Sequence, residues 1–221
     1  QLIDKKLIDN INQKQTSVKQ VLASLGQPYL MKHYQEIFNQ LNLKTSQILL
    51  TRKEITEDKS TYLNIKNTIE KLIEFNIIPI INENDVVSTE ELEGEKFGDN
   101  DTLSSFVSNM IDANLLIILS SIEGLFTTDP NLHPQSAKLI SEIKNVGIQD
   151  IDTLGGPSSN NIGTGGMDAK LKAIEMASVS GTDVVLASGK NPDNILKIIS
   201  GKKIGTFFPA KLKIIERKKR W

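Results

Sequence analysis

Cysteine is absent from the 221 residues, which excludes disulfides, thiolate metal sites and cysteine nucleophiles and agrees with a reducing compartment. Histidine occurs only at His33 and His133. One lies in a helical pattern and the other precedes proline, so both read as structural rather than catalytic. An excess of either charge is also missing: 26 basic and 27 acidic residues leave a net charge of -1, with no broad basic field for a nucleic-acid backbone. No nucleic-acid partner is expected. Apolar runs such as Leu115 to Leu119 fall far short of the ~20 residues that a membrane helix needs. The opening QLIDKKLIDN carries charge where a signal peptide would have its apolar core. A soluble, cytoplasmic protein without membrane contact is expected.

What is present is a hydrophobic content of 38% and a charged content of 24%, enough apolar material for a sizeable core, and residues 1–221 read as one domain. Leu30, Tyr34, Ile37, Phe38 and Leu41 recur at helical spacing, as do Tyr62, Ile65, Ile69, Leu72 and Ile73. The second helix runs into Asn76 to Ile81, a β-branched stretch ending in polar residues, as a buried parallel strand does. The alternation repeats: a helix around Leu103 to Met110, a strand over 115–119, a helix over 167–180, a strand over 183–187 and a helix over 191–200. It predicts an α/β fold, a three-layer αβα sandwich with a mostly parallel central sheet. Asp129-Pro130 and His133-Pro134 interrupt the rhythm, and a turn-rich excursion with a strand near 139–143 is expected there.

Ligands of open α/β sheets collect at the carboxyl ends of the strands. That rule selects Asn82-Glu-Asn-Asp85, Ser120-Ser-Ile-Glu-Gly124 and the glycine-rich NIGTGGMDAK of residues 161–170. In the last, Gly163, Gly165 and Gly166 let a ligand approach the backbone, and a helix beginning at Met167 aims its unpaired N–H groups at the same place. Side chains lean toward a helix N-terminus, so Lys170 can swing its ammonium back over a bound anion. The string is neither a Walker A motif nor a dinucleotide fingerprint. A plain turn before a helix, with a solvated lysine, accounts for the same residues.

Asp99, Asn100 and Asp101 precede another helix as good N-cap residues, and three in a row exceed what one cap requires. Surplus carboxylates there suit an ammonium group or a magnesium ion. Glu90, Glu91, Glu93 and Glu95 read as a solvated face. The lack of a histidine base is informative, because a carboxylate acceptor with a pKa of about 4.3 is already ionised at neutral pH and needs none. Its obstacle is repulsion from phosphate, about 4 kcal/mol per like-charge pair at 4 Å. Lysine, backbone amides and magnesium remove that barrier, so phosphoryl transfer to a carboxylate by positioning and charge neutralisation suits this set.

Ile80-Ile-Asn-Glu-Asn-Asp85, Gly98-Asp-Asn-Asp101, Gly124-Leu-Phe-Thr-Thr-Asp-Pro130, Gly163-Thr-Gly-Gly-Met-Asp-Ala-Lys170, Leu49-Leu-Thr-Arg52 and Arg217-Lys-Lys-Arg-Trp221 together resemble the γ-glutamyl kinase (glutamate 5-kinase) branch of the amino-acid kinase family. The resemblance implies transfer of the γ-phosphate of ATP to the side-chain carboxylate of L-glutamate, the first step of proline biosynthesis. It also implies Mg2+, proline as a feedback inhibitor and a homo-oligomer. Asp85 and Asn100 would contact glutamate, Asp85 its α-ammonium, with Asn82 and Asp99 beside them. Thr164, Gly165, Gly166, Met167, Asp168, Ala169 and Lys170 would hold ATP. Lys170 would neutralise the transition state and Asp101 would orient it. Ser120 and Ser121 match a Thr-Asp nucleotide pair of the family, with serine in place of the acid.

The family's first strand with its lysine and phosphate loop, and the substrate loop after its second strand, have no match here. Text before Gln1, and residues between Asn10 and Lys19, are expected to be missing, and no small C-terminal RNA-binding-like domain is expected after Trp221. Two rivals stand beside this reading. One is a family member acting on aspartate, acetylglutamate, carbamate or a nucleoside monophosphate, against which the Asn82 to Asp85 and Gly98 to Asp101 strings argue. The other is a non-catalytic amino-acid sensor.

Overall fold

The computed structural model describes residues 16–87, 100–128, 130, 132–144 and 167–211, in two compact units, Gln1–Asn100 and Asp101–Trp221. The first unit holds α1 (Thr16–Gln40), β1 (Lys44–Leu50), α2 (Arg52–Thr56), α3 (Lys59–Glu74) and β2 (Ile77–Glu83). β1 and β2 pair in parallel, from Lys44 opposite Ile77 to Leu50 opposite Glu83, so the chain must cross over between them, and α2 and α3 form that crossover. Asp58 caps α3 by accepting from the Ser60 and Thr61 amides, and Ile69 is its buried apolar anchor.

The second unit holds α4 (Asn100–Met110, its first residue in the first unit), β3 (Leu115–Ser120), α5 (Met167–Val179), β4 (Asp183–Ser188), α6 (Asp193–Ile199) and β5 (Thr206–Phe208). The sheet order is β3-β4-β5, with β3 and β4 parallel and β5 antiparallel to β4. Side-chain alternation sends Val184 and Leu186 to one face, where they pack with Leu171, Ile174 and Ala177 of α5, Ile118 and Phe208. Val185 and Ala187 go to the other face, against Ile198 of α6 with Ile117 and Phe207. Helix, sheet and helix are thus stacked within this unit. Coverage on both faces explains why β4 reads as an uninterrupted apolar run.

Four helices end the same way. Asn42, Asp112, Gly181 and Gly201 take positive φ after α1, α4, α5 and α6. In each case the next amide bonds back five residues: Leu43 to Phe38, Ala113 to Ser108, Thr182 to Ala177 and Lys202 to Lys197. Asparagine, aspartate and glycine are the residues that tolerate this turn.

The α/β class and the order of helices and strands match the sequence expectation, with differences at particular places. α1 begins at Thr16, well before the periodic segment at Leu30, and runs through Gly26 and Pro28. The interval 16–19 is helix, and residues before Thr16 lie outside the described ones. Leu30, Tyr34, Ile37 and Leu41 are exposed rather than buried, while Met31 is the buried residue of α1. β1 went unforeseen because Lys44-Thr-Ser-Gln lacks an apolar run. The expected strand at 139–143 is instead a pair of isolated bridges, Phe126 with Leu139 and Glu142 with Phe207.

Candidate active site

The carboxyl ends of β3 and β4 lie side by side, Ser120 opposite Ser188, and the Gly189 amide donates to the Ser120 carbonyl at 2.8 Å. Ser120 is half-buried and Ser121 is exposed at the start of the following loop. Ile122 in that loop and Met167 at the start of α5 both pack on the core cluster of Ile118, Leu171, Ile174 and Leu186. Two of the segments selected from sequence therefore share one floor.

α5 carries Lys170 and α4 carries Asp101, each in the first turn of its helix. The Lys170 Nζ donates to Asp101 Oδ2 at 2.7 Å, and the two side chains are 18% and 17% exposed. At that distance and burial the contact is a charge-assisted hydrogen bond with little solvent screening. It ties the first turn of α5, whose N–H groups have no partner within their own helix, to the first turn of α4.

One turn farther along, Ser105 of α4 donates to the Ala173 carbonyl of α5 at 2.7 Å, both residues fully buried. The small Ser105 and Ala173 let the two helices approach closely. Sequence reasoning passed over Ser105, although Thr102, Ser105 and Ser108 form a buried small polar row at spacing 3 on α4. Ser104 folds back on the Asp101 carbonyl at 2.6 Å and tightens the turn that bears the carboxylate.

The first unit presents Asn82 and Asp85 at the carboxyl end of β2. Asn82 Nδ2 donates to Gln27 Oε1 of α1 at 3.1 Å, and Gln27 Nε2 donates to Gln47 Oε1 of β1 at 3.3 Å, a polar chain that ties α1 to the sheet. The Asn84 amide donates to the Leu50 carbonyl at 2.8 Å, which brings the ends of β1 and β2 together. Asp85 follows in an exposed turn, and Asn100 is exposed at the start of α4. Gln27 and Gln47 were not among the expected site residues. Asp99, Thr164, Gly165 and Gly166 lie outside the described residues, as do Gly163 and the acidic 90–95 stretch. Among the described residues no three His, Asp or Glu side chains gather as a metal site, and no helix is long and apolar enough to cross a membrane.

Against known proteins, the model of the amino acid kinase family matches residues 2–188. The glutamate 5-kinase of Dehalococcoides mccartyi strain 195 is 46% identical over 208 residues, covering 94% of this chain and 55% of that protein. The glutamate 5-kinase of Methanosarcina barkeri is 42% identical, covering 94% of this chain and 53% of that protein. The chain thus spans about half the length of the curated relatives it matches. Among solved structures, the UMP kinase of Bacillus anthracis shares the fold, with a TM-score of 0.58 at 15% identity, covering 96% of this chain and 76% of that one. With a glycine-rich segment leading into α5, a lysine paired to an acid across α4 and α5, and a family match over most of its length, the chain belongs to the amino acid kinase family.

Proposed function

We propose that the chain is a kinase domain that transfers the γ-phosphoryl group of ATP to the side-chain carboxylate of L-glutamate, giving glutamyl 5-phosphate and ADP, in cytoplasmic proline biosynthesis. The observation that carries the reading is the 2.7 Å pair of Lys170 and Asp101 at the amino end of α5. Glutamate 5-kinases at 46% and 42% identity support the choice of acceptor.

In the reaction a glutamate carboxylate oxygen attacks the γ-phosphorus. The new C–O–P linkage forms, the bond from that phosphorus to the β,γ-bridging oxygen breaks, and ADP leaves with the electron pair. The acceptor is already ionised, so no base takes part. Two anions must meet, and Lys170 lowers that cost by standing over the transferring group, with the α5 amides as fixed dipoles. Asp101 keeps the ammonium in place between turnovers. Asp85 receives the α-ammonium of glutamate, with Asn82, Asp99 and Asn100 around it, and Ser120 and Ser121 with Thr164 to Ala169 receive the nucleotide.

A magnesium ion bound together with the nucleotide is the cofactor of the proposed reaction, and Asp101, paired with Lys170 at 2.7 Å, is the described acid beside it. When bound, such an ion would supply positive charge against the phosphates, beside that of Lys170.

Proline as a feedback inhibitor and a homo-oligomeric state complete the proposal. The exposed apolar residues of α1, Val21, Leu25, Tyr29, Leu30, Tyr34 and Ile37, with Leu41 just beyond its end, support association with a second copy. The decisive experiment is ADP release by the full-length protein with glutamate, aspartate, acetylglutamate, carbamate or UMP as acceptor, with and without proline. Turnover on glutamate is expected, and preference for another acceptor overturns the assignment.

A further inference from the structure

The loop that leaves β3 is pinned from the far edge of the sheet. Thr206, the first residue of β5, is fully buried. Its hydroxyl accepts from the Leu125 amide at 2.8 Å and donates to the Ile140 carbonyl at 2.7 Å, while the Ile140 amide donates to the Leu125 carbonyl at 2.8 Å. A Cβ added at Gly124 would lie 2.7 Å from the Thr206 hydroxyl oxygen and 2.9 Å from Leu139 Cδ1, so the threonine rests directly against the loop backbone. Gly124 also takes a positive φ of 155°, at the edge of what other residues adopt. The loop between Ser120 and Leu125 is thus fixed at its start by β3 and at its end by the Thr206 hydroxyl together with the backbone bond from Ile140 to Leu125. Ile122, at its middle, rests on the same core as Met167.

We propose that Thr206 is a positioning residue for nucleotide binding: its buried hydroxyl holds the loop after β3 in the one conformation that presents Ser120 and Ser121 to ATP. The inference rests on the nucleotide side of the proposed function. Among the described residues the Thr206 hydroxyl is the side-chain group that bonds both Leu125 N–H and Ile140 C=O, and valine has its shape without its proton. Losing it leaves the Leu125 N–H and the Ile140 C=O without this partner and loosens the outgoing end of the loop, which then keeps its backbone bonds to residues 138–140. Glutamate is bound elsewhere in the proposal, so its affinity does not depend on this contact.

The test compares Thr206→Val and Thr206→Ser with the parent, using full-length protein. Thr206→Val is expected to raise KM for ATP, and the calorimetric Kd for a non-hydrolysable ATP analogue, by about tenfold, the scale of a small misplacement of binding groups. KM for glutamate should stay within about twofold, and Thr206→Ser should restore most of the ATP affinity, because serine keeps both hydrogen bonds. Unchanged ATP affinity in Thr206→Val, or equal losses for ATP and glutamate without rescue by serine, would overturn the proposal. If the valine variant does not fold, amide exchange in the parent decides. Protection of residues 121–126 should rise with the ATP analogue, and no change there overturns the proposal. A parent that binds the analogue but does not phosphorylate glutamate would refute the acceptor assignment. The Thr206→Val titration would still test this contact.

Discussion

Lys170 is a long cation held by a short acid, and each depends on the other. The Asp101 carboxylate limits where the ammonium can lie, and in the proposed reaction Lys170 offsets the repulsion between that carboxylate and the nucleotide phosphates. Lys170→Ala is expected to lower kcat by about 10²–10³, the cost of removing one preorganised charge-stabilising group, while the calorimetric affinity for glutamate changes little. Asp101→Asn should lower kcat by a smaller factor, since the amide can still accept from the lysine. Unchanged turnover in Lys170→Ala would remove the assigned role. A second residue-scale prediction concerns Asp58. The Thr61 hydroxyl first, then the Thr61 amide and, to a smaller degree, the Ser60 amide donate to its carboxylate and lower its pKa from the ordinary aspartate value, against an opposing effect of burial. A depressed folded-state value means that this stabilisation is present above the unfolded-state pKa and fades as pH falls through the folded one. Thermal midpoints of parent and Asp58→Asn should therefore differ near pH 6 and draw together as the pH falls below the unfolded-state value of about 3.9.

Among the elements, α1 is the least conventional. It spans 25 residues with glycine and proline inside, and the Asn82–Gln27–Gln47 chain ties it to the strands. A Cβ at Gly26 would meet nothing within 4 Å. Gly26→Ala should therefore stabilise the protein by about 0.5–1 kcal/mol, read as a rise in the urea midpoint at constant m. The pairing of α4 with α5 shows how local sequence becomes site geometry: Asp101 and Lys170 meet because Ser105 and Ala173, one turn on, let the helices close. The lysine, the acid and the helix beginning at Met167 were legible in the string of residues. Ser105 was not, because a serine on a helix carries no mark of the carbonyl it will face. Likewise β5 is three residues long, too short for a periodic signal, and Thr206 within it acquires meaning from Leu125 and Ile140, 81 and 66 positions away.

For the whole molecule, the apolar row on α1 is the feature that one copy leaves unexplained. Leu30, Tyr34, Ile37 and Leu41 are 42%, 36%, 57% and 64% exposed, though their spacing is that of a buried helix face. The proposed second copy would cover the row. Replacing Ile37 and Leu41 together by aspartate should shift the mass from light scattering toward that of a monomer, with the secondary structure retained. An unchanged mass would place the contact elsewhere.

The sequence by itself determined the α/β class, the order of most elements, and the lysine and acid about which the proposed site is built. These follow from periodicity and ionisation, both properties of neighbours along the chain. The tertiary structure alone decided that Asp101 and Lys170, 69 positions apart, lie 2.7 Å from each other, and that Leu30, Tyr34, Ile37 and Leu41 face outward. Contact between distant residues depends on how closely helices pack and which strand edges pair, and one-dimensional spacing carries no record of either.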